Sequence, residues 1–147
     1  MPVKSFSIED GNLPSKSIVT SRNRLFSDLD LTFAKAPSND VYKKTDAAAV
    51  KQSVKNILLT NRTEKPFAPF FGGGLNNYLF ELDTFFDESI IEDEVRTAIQ
   101  NYEPRARVLK VNAEIISDRN DIRVTVEFQV VNTLEKVVLE VSLARLR

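Results

Sequence analysis

The stretch Asn101-Tyr102-Glu103-Pro104-Arg105 divides the chain into a helical part and a sheet part. The residues before it follow a helical period, and the residues after it alternate between apolar and polar. Pro104 explains the change, because its ring disfavours the α conformation at Glu103 and it has no N–H to continue a helix. Glu103 is therefore predicted to leave the helix, and Arg105 to enter the first strand of a sheet.

Glu103 and Arg105 place opposite charges on either side of this proline. An ordinary helix end with two solvated charges would account for the pattern. However, a carboxylate at a helix C-terminus faces the negative end of the helix dipole, so helix stability does not explain Glu103. Helix stability therefore leaves the role of Glu103 open.

The helix before the junction is predicted from an apolar stripe that follows an acidic first turn. Its stripe residues are Ile91, Val95, Ala98, Ile99 and Tyr102. Asp87 or Ser89 is the candidate N-cap, and Ser89 with Glu92 has the spacing of a capping box. The acidic residues 88–94 could bind a divalent ion, but favourable interaction with the helix dipole is the simpler interpretation.

Three alternating segments after the junction predict a three-stranded antiparallel meander. The apolar positions are Leu109, Val111, Ala113 and Ile115, then Ile122, Val124, Val126, Phe128 and Val130, then Val137, Leu139, Val141 and Leu143. Turns are predicted at 118–121 and 132–135. One face of the sheet is expected to cover the helices and the other to meet solvent. Val138 lies on the solvent side of the last strand, whose edge could accept a strand from another chain.

An earlier helix is predicted to begin with Thr45 as N-cap and to end near Thr60. Its apolar face carries Val50, Val54, Ile57 and Leu58, and its opposite face carries Lys51, Gln52, Lys55 and Asn56. The two lysines could contact an acidic partner, although a solvated face is the simpler interpretation. The two longer helices thus flank a region that is rich in glycine and phenylalanine.

That region, residues 61–74, contains Phe67, Phe70, Phe71 and three glycines. A glycine run before a helix can bind phosphate, but the lysine and hydroxyl residue of the Walker pattern are absent. The phenylalanines are instead predicted to pack on the core or to contact a partner. A short helix is expected to follow, with Leu75, Leu79 and Phe80 pointing inward.

The segment before the first helix alternates over residues 25–33, which predicts a short edge strand or an extended segment over the core. Leu29, Leu31 and Phe33 share one side, and Asp28 and Asp30 share the other. The two aspartates could be metal ligands, but this spacing is more typical of a solvated face. Residues 36–40 have the composition of a turn. Residues 1–24 show little periodicity and are predicted to be an extended arm, with a floppy terminus as the equal alternative.

Composition excludes several classes of function. With 147 residues the chain is expected to hold one domain, and a net charge of −1 does not suggest nucleic-acid binding. No apolar run is long enough to span a bilayer, and no signal-peptide layout is present, so no membrane partner is expected. The absence of histidine and cysteine excludes Ser-His-Asp and Cys-His sites and the usual zinc sites. No cofactor is predicted.

The chain resembles the gene-25-product family of small baseplate wedge proteins of contractile-tailed phages, which includes the type VI secretion component TssE. The resemblance rests on the Glu-Pro-Arg motif between a helix and a β-meander, together with the segments 27–31, 49–60, 64–67 and the glycine-bearing loop through Glu81. It covers about residue 25 to the end, which defines a wedge domain over 25–147 after the arm. Within that domain, residues 45–102 are helical and 105–145 form the sheet.

The resemblance implies a structural subunit of the virion's tail baseplate that is assembled in the host cytoplasm. It implies that Glu103, Pro104 and Arg105, the Glu-Pro-Arg motif, are partner-binding residues that dock on the helical core bundle of the wedge. It also implies that the C-terminal sheet gives the tail sheath subunit a first template by strand addition. The family has also been labelled lysozyme-like, which supplies a rival enzyme. Glu103 would then be the acid, with Asp83, Asp87 or Glu64 as the second carboxylate.

The sequence therefore predicts an α+β fold. Two longer helices and a short helix are expected to pack on a C-terminal three-stranded antiparallel meander, after an extended N-terminal arm.

Overall fold

The computed structural model describes residues 26–80, 87–116 and 121–144. Its elements are β1 Ser27–Leu29, β2 Lys43–Thr45, α1 Ala47–Leu59, α2 Leu75–Tyr78, α3 Glu88–Tyr102, β3 Ala106–Ile116, β4 Asp121–Val130 and β5 Lys136–Ala144. The last three strands form an antiparallel sheet in the order β3-β4-β5. The predicted α+β class and C-terminal meander are confirmed. The predicted arm, most of the predicted turn at 118–121 and the candidate carboxylate Asp83 lie outside the described residues.

One hydrophobic core joins the helices to the sheet. α3 lies along β3, and α1 contacts α3 and β5. The predicted stripes of both helices are buried, except that Tyr102 at the end of α3 is half-buried, and all five apolar positions of β4 are buried. Because successive strand residues face opposite sides, the other face of β4 is left to polar side chains. The sheet therefore has one face against the helices, and its two outer strands form its edges.

The first strand of the sheet departs from simple alternation. A β-bulge between Val108 and Lys110 shifts the register with β4. The extra residue reverses the parity of the strand, so Leu109 is 44% exposed while Val111 and Ala113 are buried. The prediction that Leu109 points inward is therefore wrong. In β5, Leu139 and Val141 are buried and Val138 is 54% exposed, as predicted.

β1 and β2 pair with each other and form a separate small antiparallel hairpin. Its outer residues Leu29, Leu31 and Phe33 are exposed, so the prediction of an apolar side over the core is wrong. The reason is that β1 is only three residues long and the chain turns immediately after it. Phe26 packs against the core instead. The turn predicted at 36–40 is confirmed by the Ala36 N–H donating to the Asp40 carbonyl, 2.8 Å.

The start of α1 and its polar face differ from prediction. Thr45 belongs to β2, and Asp46 takes the N-cap position. Gln52 is buried rather than solvated, because its amide serves the hairpin backbone. It donates to the Leu29 carbonyl at 2.7 Å and accepts from the Leu31 N–H at 3.4 Å. The predicted end near Thr60 is confirmed.

The predictions for the two later helices are confirmed in part, since Asp87, one of the two candidate N-caps, takes the N-cap position of α3. In the short helix, Leu75 and Leu79 are buried, but Phe80 is 69% exposed and does not point inward. α3 begins at Glu88 with Asp87 at the N-cap position, so Ser89 lies inside the helix and forms no capping box. With Asp87 at the N-cap, the third helical residue is Ile90 rather than Glu92, so the Glu92 carboxylate is left to bond elsewhere.

Candidate functional site

The junction between α3 and β3 is a tight turn around Pro104. The Glu103 N–H donates to the Ile99 carbonyl at 2.8 Å, which ends the helix. The Ala106 N–H then donates to the Glu103 carbonyl at 3.1 Å, so the chain reverses within three residues. Pro104 has no N–H to satisfy and lies exposed at the outside of this turn.

The Glu103 side chain is buried, with only 2% of it exposed, and it binds Arg105. The guanidinium Nε donates to Oε1 and Nη2 donates to Oε2, each at 2.6 Å. This is the bidentate arrangement that makes arginine–carboxylate pairs strong and geometrically specific. The guanidinium also lies over the Phe26 ring, 5.2 Å from its centroid. The pair thus joins the helix end, the first strand and the beginning of the hairpin.

Two opposing effects act on the Glu103 carboxyl. Burial raises its pKa, but hydrogen bonds from Arg105 and Ser53 and the charge of Arg105 outweigh burial, so the pKa is lowered from its ordinary value. The carboxylate in turn raises the pKa of Arg105. Glu103 is therefore an ionised, internally paired group that faces the protein. Of the three motif residues, Pro104 and about a third of the Arg105 side chain reach solvent.

Residues 61–74 form a loop that is held firmly at several points. The Thr63 N–H donates to the Pro69 carbonyl and the Gly73 N–H to the Ile57 carbonyl, each at 2.8 Å. A Cβ on Gly72 would lie 2.2 Å from the Thr60 carbonyl oxygen, so only glycine permits this close approach. The glycines therefore bring the loop against the end of α1.

The three phenylalanines of this loop have different environments. Phe71 packs against Tyr102 with ring centroids 5.0 Å apart, and the Lys65 ammonium lies 4.1 Å from the Phe71 centroid. Phe70 is 79% exposed, although its carbonyl accepts a 2.7 Å hydrogen bond from the Tyr102 hydroxyl. Phe67 is fully exposed, with a positive φ of 64°. A fixed loop thus displays two aromatic side chains to solvent.

Side chains of α3 cover the outer edge of β3. The Glu92 carboxylate accepts from the Ala113 N–H at 3.1 Å, and the Glu88 carboxylate accepts from the Ile115 N–H at 3.3 Å. Residues four apart on a helix and two apart on a strand are both separated by about 6–7 Å, so the two sets match. Sequence reasoning assigned these acids to the helix dipole, although the four-residue spacing of Glu88 and Glu92 was a usable signal.

Glu94, the last of the four acidic residues over 88–94, holds the aromatic loop to the helices. Its carboxylate binds the Arg62 guanidinium and the Tyr78 hydroxyl. In the described parts of the chain, no group of three acidic residues could hold a metal ion.

At the hairpin, Asp30 pairs with Lys44 at 3.1 Å. Its pKa is lowered by the Thr32 N–H and then by Lys44.

The outer edge of β5 presents a backbone without such cover. The Val130 N–H donates to the Glu135 carbonyl at 3.0 Å, which sets the alternation of the β4–β5 ladder. Counting along the registered pairs, Leu139 directs its N–H toward β4, whereas Val138 pairs with Glu127 at a position that directs its N–H outward. Within the described ranges, no backbone or side-chain group bonds to the outward N–H of Val138.

A groove of about 840 Å³ runs beside this edge. Its walls are β5 at Val138–Glu140, α1 from Ala48 to Leu59, and the hairpin at Asp30–Thr32.

The structure therefore places the predicted contact residues in three regions. The first holds Glu103, Pro104 and Arg105, the second holds Phe67, Phe70 and Phe71, and the third holds Val138. No helix of the described chain is long and apolar enough to cross a membrane.

Residues 44–135 match the family model described as baseplate wedge protein gp25. The chain is 30% identical over 123 residues to the baseplate wedge protein gp25 of Enterobacteria phage T4, which covers 82% of this chain and 93% of that protein.

Two solved structures are also similar. A Geobacter sulfurreducens protein described as a candidate tail lysozyme aligns with a TM-score of 0.58 and 26% identity, covering 67% of this chain and 89% of that chain. A chain of the anti-feeding prophage baseplate aligns with a TM-score of 0.56 and 18% identity, covering 81% of this chain and 85% of that chain, and so shares the fold. The family model and the match to the phage T4 protein show that the chain belongs to the family of gp25 baseplate wedge proteins.

Proposed function

We propose that this chain is a structural subunit of the baseplate wedge of a contractile tail. It is assembled into the wedge in the host cytoplasm, and from the wedge it starts assembly of the tail sheath. The observation that carries the proposal is the contrast between the two sheet edges. No described residue bonds to the outward N–H of Val138 on β5, whereas carboxylates occupy the β3 edge. Backbone groups along an open edge give affinity to an added strand, and an exposed side chain such as Val138 gives it contact area. A sheath subunit is the proposed donor of that strand.

The Glu-Pro-Arg motif is the proposed contact with the helical core bundle of the wedge. Glu103 acts as a positioning residue, because both of its oxygens are already bonded to Arg105. Pro104 and the exposed part of the Arg105 guanidinium are the groups that remain for a partner. A guanidinium held in one orientation loses little freedom on binding an acidic group, which favours this assignment.

The aromatic loop is a second proposed contact with the wedge. Phe67 and Phe70 expose large apolar surfaces from a loop whose backbone is fixed by hydrogen bonds. Aromatic anchors on a preformed surface are the usual source of binding energy in protein interfaces. Phe71 holds the loop against α3 through its contact with Tyr102.

Co-purification tests the docking assignment. Glu103→Met/Arg105→Met removes both charges and leaves no buried charge without a partner, so the chain is expected to fold but to lose co-purification with its wedge partners. Arg96→Met is the matched control, since Arg96 is an exposed arginine of α3 outside the motif. Normal co-purification of the folded double variant would contradict docking through this motif.

A glycoside hydrolase is the second candidate, and the description of the Geobacter protein favours it. Hydrolysis needs a carboxyl that stays protonated near neutral pH. Glu103 has a lowered pKa and is buried against Arg105, which does not suit a general acid. Two other candidate carboxylates lie in the described residues. Glu64 accepts the Asn61 N–H at 2.9 Å, and Asp87 lies at the start of α3.

A turbidity assay on bacterial cell walls separates the two candidates. The proposal expects no clearing by the wild-type chain. Clearing by the wild type that is abolished in Glu103→Gln would establish the enzyme instead.

A further inference from the structure

The groove beside the β5 edge carries positive charge that takes no part in the backbone hydrogen bonds of that edge. Lys51 and Lys55 lie on its α1 wall and are exposed. Neither lysine has an ion pair or hydrogen bond to any group in the described part of the chain. The remaining lysine of the groove, Lys44, differs because it pairs with Asp30. Two unpaired ammonium groups therefore border the place where an added strand would lie.

The spacing of these lysines fits an extended segment. Residues four apart on a helix rise about 6 Å along its axis, and side chains two apart on one face of a strand are about 6.6 Å apart. The molecule already uses this match on its other side, where Glu88 and Glu92 of α3 meet Ile115 and Ala113 of β3. A segment that pairs with β5 and runs along α1 would bring alternate side chains to Lys51 and Lys55.

The groove also supplies apolar surface around the charges. Leu31 is 47% exposed, Leu59 is 40% exposed and Val138 is 54% exposed, and all three line it. An entering segment therefore meets backbone donors and acceptors along β5, apolar side chains at the rim and positive charge from α1. Of these, only the positive charge discriminates between strands of similar apolar pattern.

We propose that this groove selects an extended segment of a protein partner that carries two acidic residues at positions i and i+2 on the face toward α1. Lys51 and Lys55 are the specificity-determining residues, and the β5 backbone supplies affinity for any strand. This inference rests on the proposed strand addition, and it names the chemistry of the strand that is accepted.

Disulfide capture of peptides tests the selection. The chain has no cysteine, so Ser142→Cys places a single thiol on the exposed face of β5. Three peptides share an alternating Thr/Val framework and one terminal cysteine, and they carry two Glu, two Gln or two Lys at i and i+2. In a redox buffer at low salt, the Glu peptide is expected to be captured about fivefold more than the Gln peptide, and the Lys peptide least. Screening should remove the preference at about 1 M salt.

Charge reversal provides the decisive arm. Lys51→Glu/Lys55→Glu in the Ser142→Cys background is expected to favour the Lys peptide. Lys35→Glu/Lys110→Glu makes the same change in net charge at exposed positions outside the groove and should keep the preference for Glu.

Two results would count against the account in different ways. Equal capture of the three peptides, above a Gly/Ser peptide with the same cysteine, overturns charge selection and leaves strand addition standing. Capture of none of them above the Gly/Ser peptide contradicts strand addition itself, and the selection with it.

Discussion

At the β3 edge, carboxylates of α3 accept two N–H groups that point out of the sheet. The β5 edge instead borders a groove in which α1 presents two lysines that pair with no described residue. The two edges are equivalent in topology, since each belongs to an outer strand of the same antiparallel meander. The difference between them comes from side chains on the neighbouring helices. An acidic helix face can satisfy backbone donors and close an edge, and a basic one leaves those donors available to a partner.

The largest expected effect follows from breaking the junction where β3 begins. Arg105→Ala leaves the buried Glu103 carboxylate without its partner and should lower the free energy of unfolding by about 3 kcal/mol. Urea denaturation of the purified chain measures the loss. Glu103→Met/Arg105→Met is the control and should be much closer to wild type, since an apolar pair contains no unpaired charge. Equal stability of Arg105→Ala and wild type would show that the pair does not support the fold.

A smaller effect is expected from uncovering the β3 edge. Glu92→Ala removes the acceptor of the Ala113 N–H and should cost about 1.5 kcal/mol in the free energy of unfolding. The variant should also speed hydrogen exchange at the Ala113 amide, which would make the β3 edge resemble the β5 edge. Asp93→Ala is the matched control, because the Asp93 side chain is 79% exposed. Unchanged exchange at Ala113 in Glu92→Ala would mean that the carboxylate does not close this edge.

The smallest effect on stability is expected from mild acid. The pKa of Glu103 is lowered in the folded chain, so the pair's contribution is complete above the ordinary value of 4.5 and is lost only as the pH falls through the lower, folded value. Wild type should therefore exceed Glu103→Gln in free energy of unfolding at pH 7, and the difference should shrink between pH 5 and pH 3. Denaturation curves of both proteins across that range measure it. A difference that grows in acid would mean that the folded pKa is raised.

Most of the fold could be predicted from hydrophobic periodicity and from residues that end a helix. The apolar stripe of α3 and the alternation of β4 are local patterns that predicted the correct helix and strand. Pro104 correctly predicted where α3 ends. Leu109 failed because a bulge depends on how two strands register, which no single strand encodes. Phe80 and the outer residues of the first hairpin failed because hydrophobicity alone does not say which apolar residues remain at the surface.

The helix-to-strand junction at Glu103 was predicted in position, but the contacts of its side chains were not. The unusual carboxylate at the end of α3 drew attention to Glu103, but its partner proved to be Arg105, two residues away in the same chain. The covered edge was missed because Glu92 and Ala113 are far apart in sequence. Gln52 was assigned to solvent for the same reason, since its partners Leu29 and Leu31 belong to a hairpin that was not predicted as a pair.

The most direct measurement of the central claim, that the β5 edge accepts a strand, compares Val138→Pro with Val138→Thr in assembled tails. The Val138 N–H points outward and the side chain is exposed, so proline removes a donor from the edge while the ladder to β4 is kept. Threonine keeps the donor and the β-branched shape. Both proteins should fold and enter baseplates, and electron microscopy should show sheathed tails with Val138→Thr and bare baseplates with Val138→Pro. Normal sheaths on baseplates that contain folded Val138→Pro would contradict the claim.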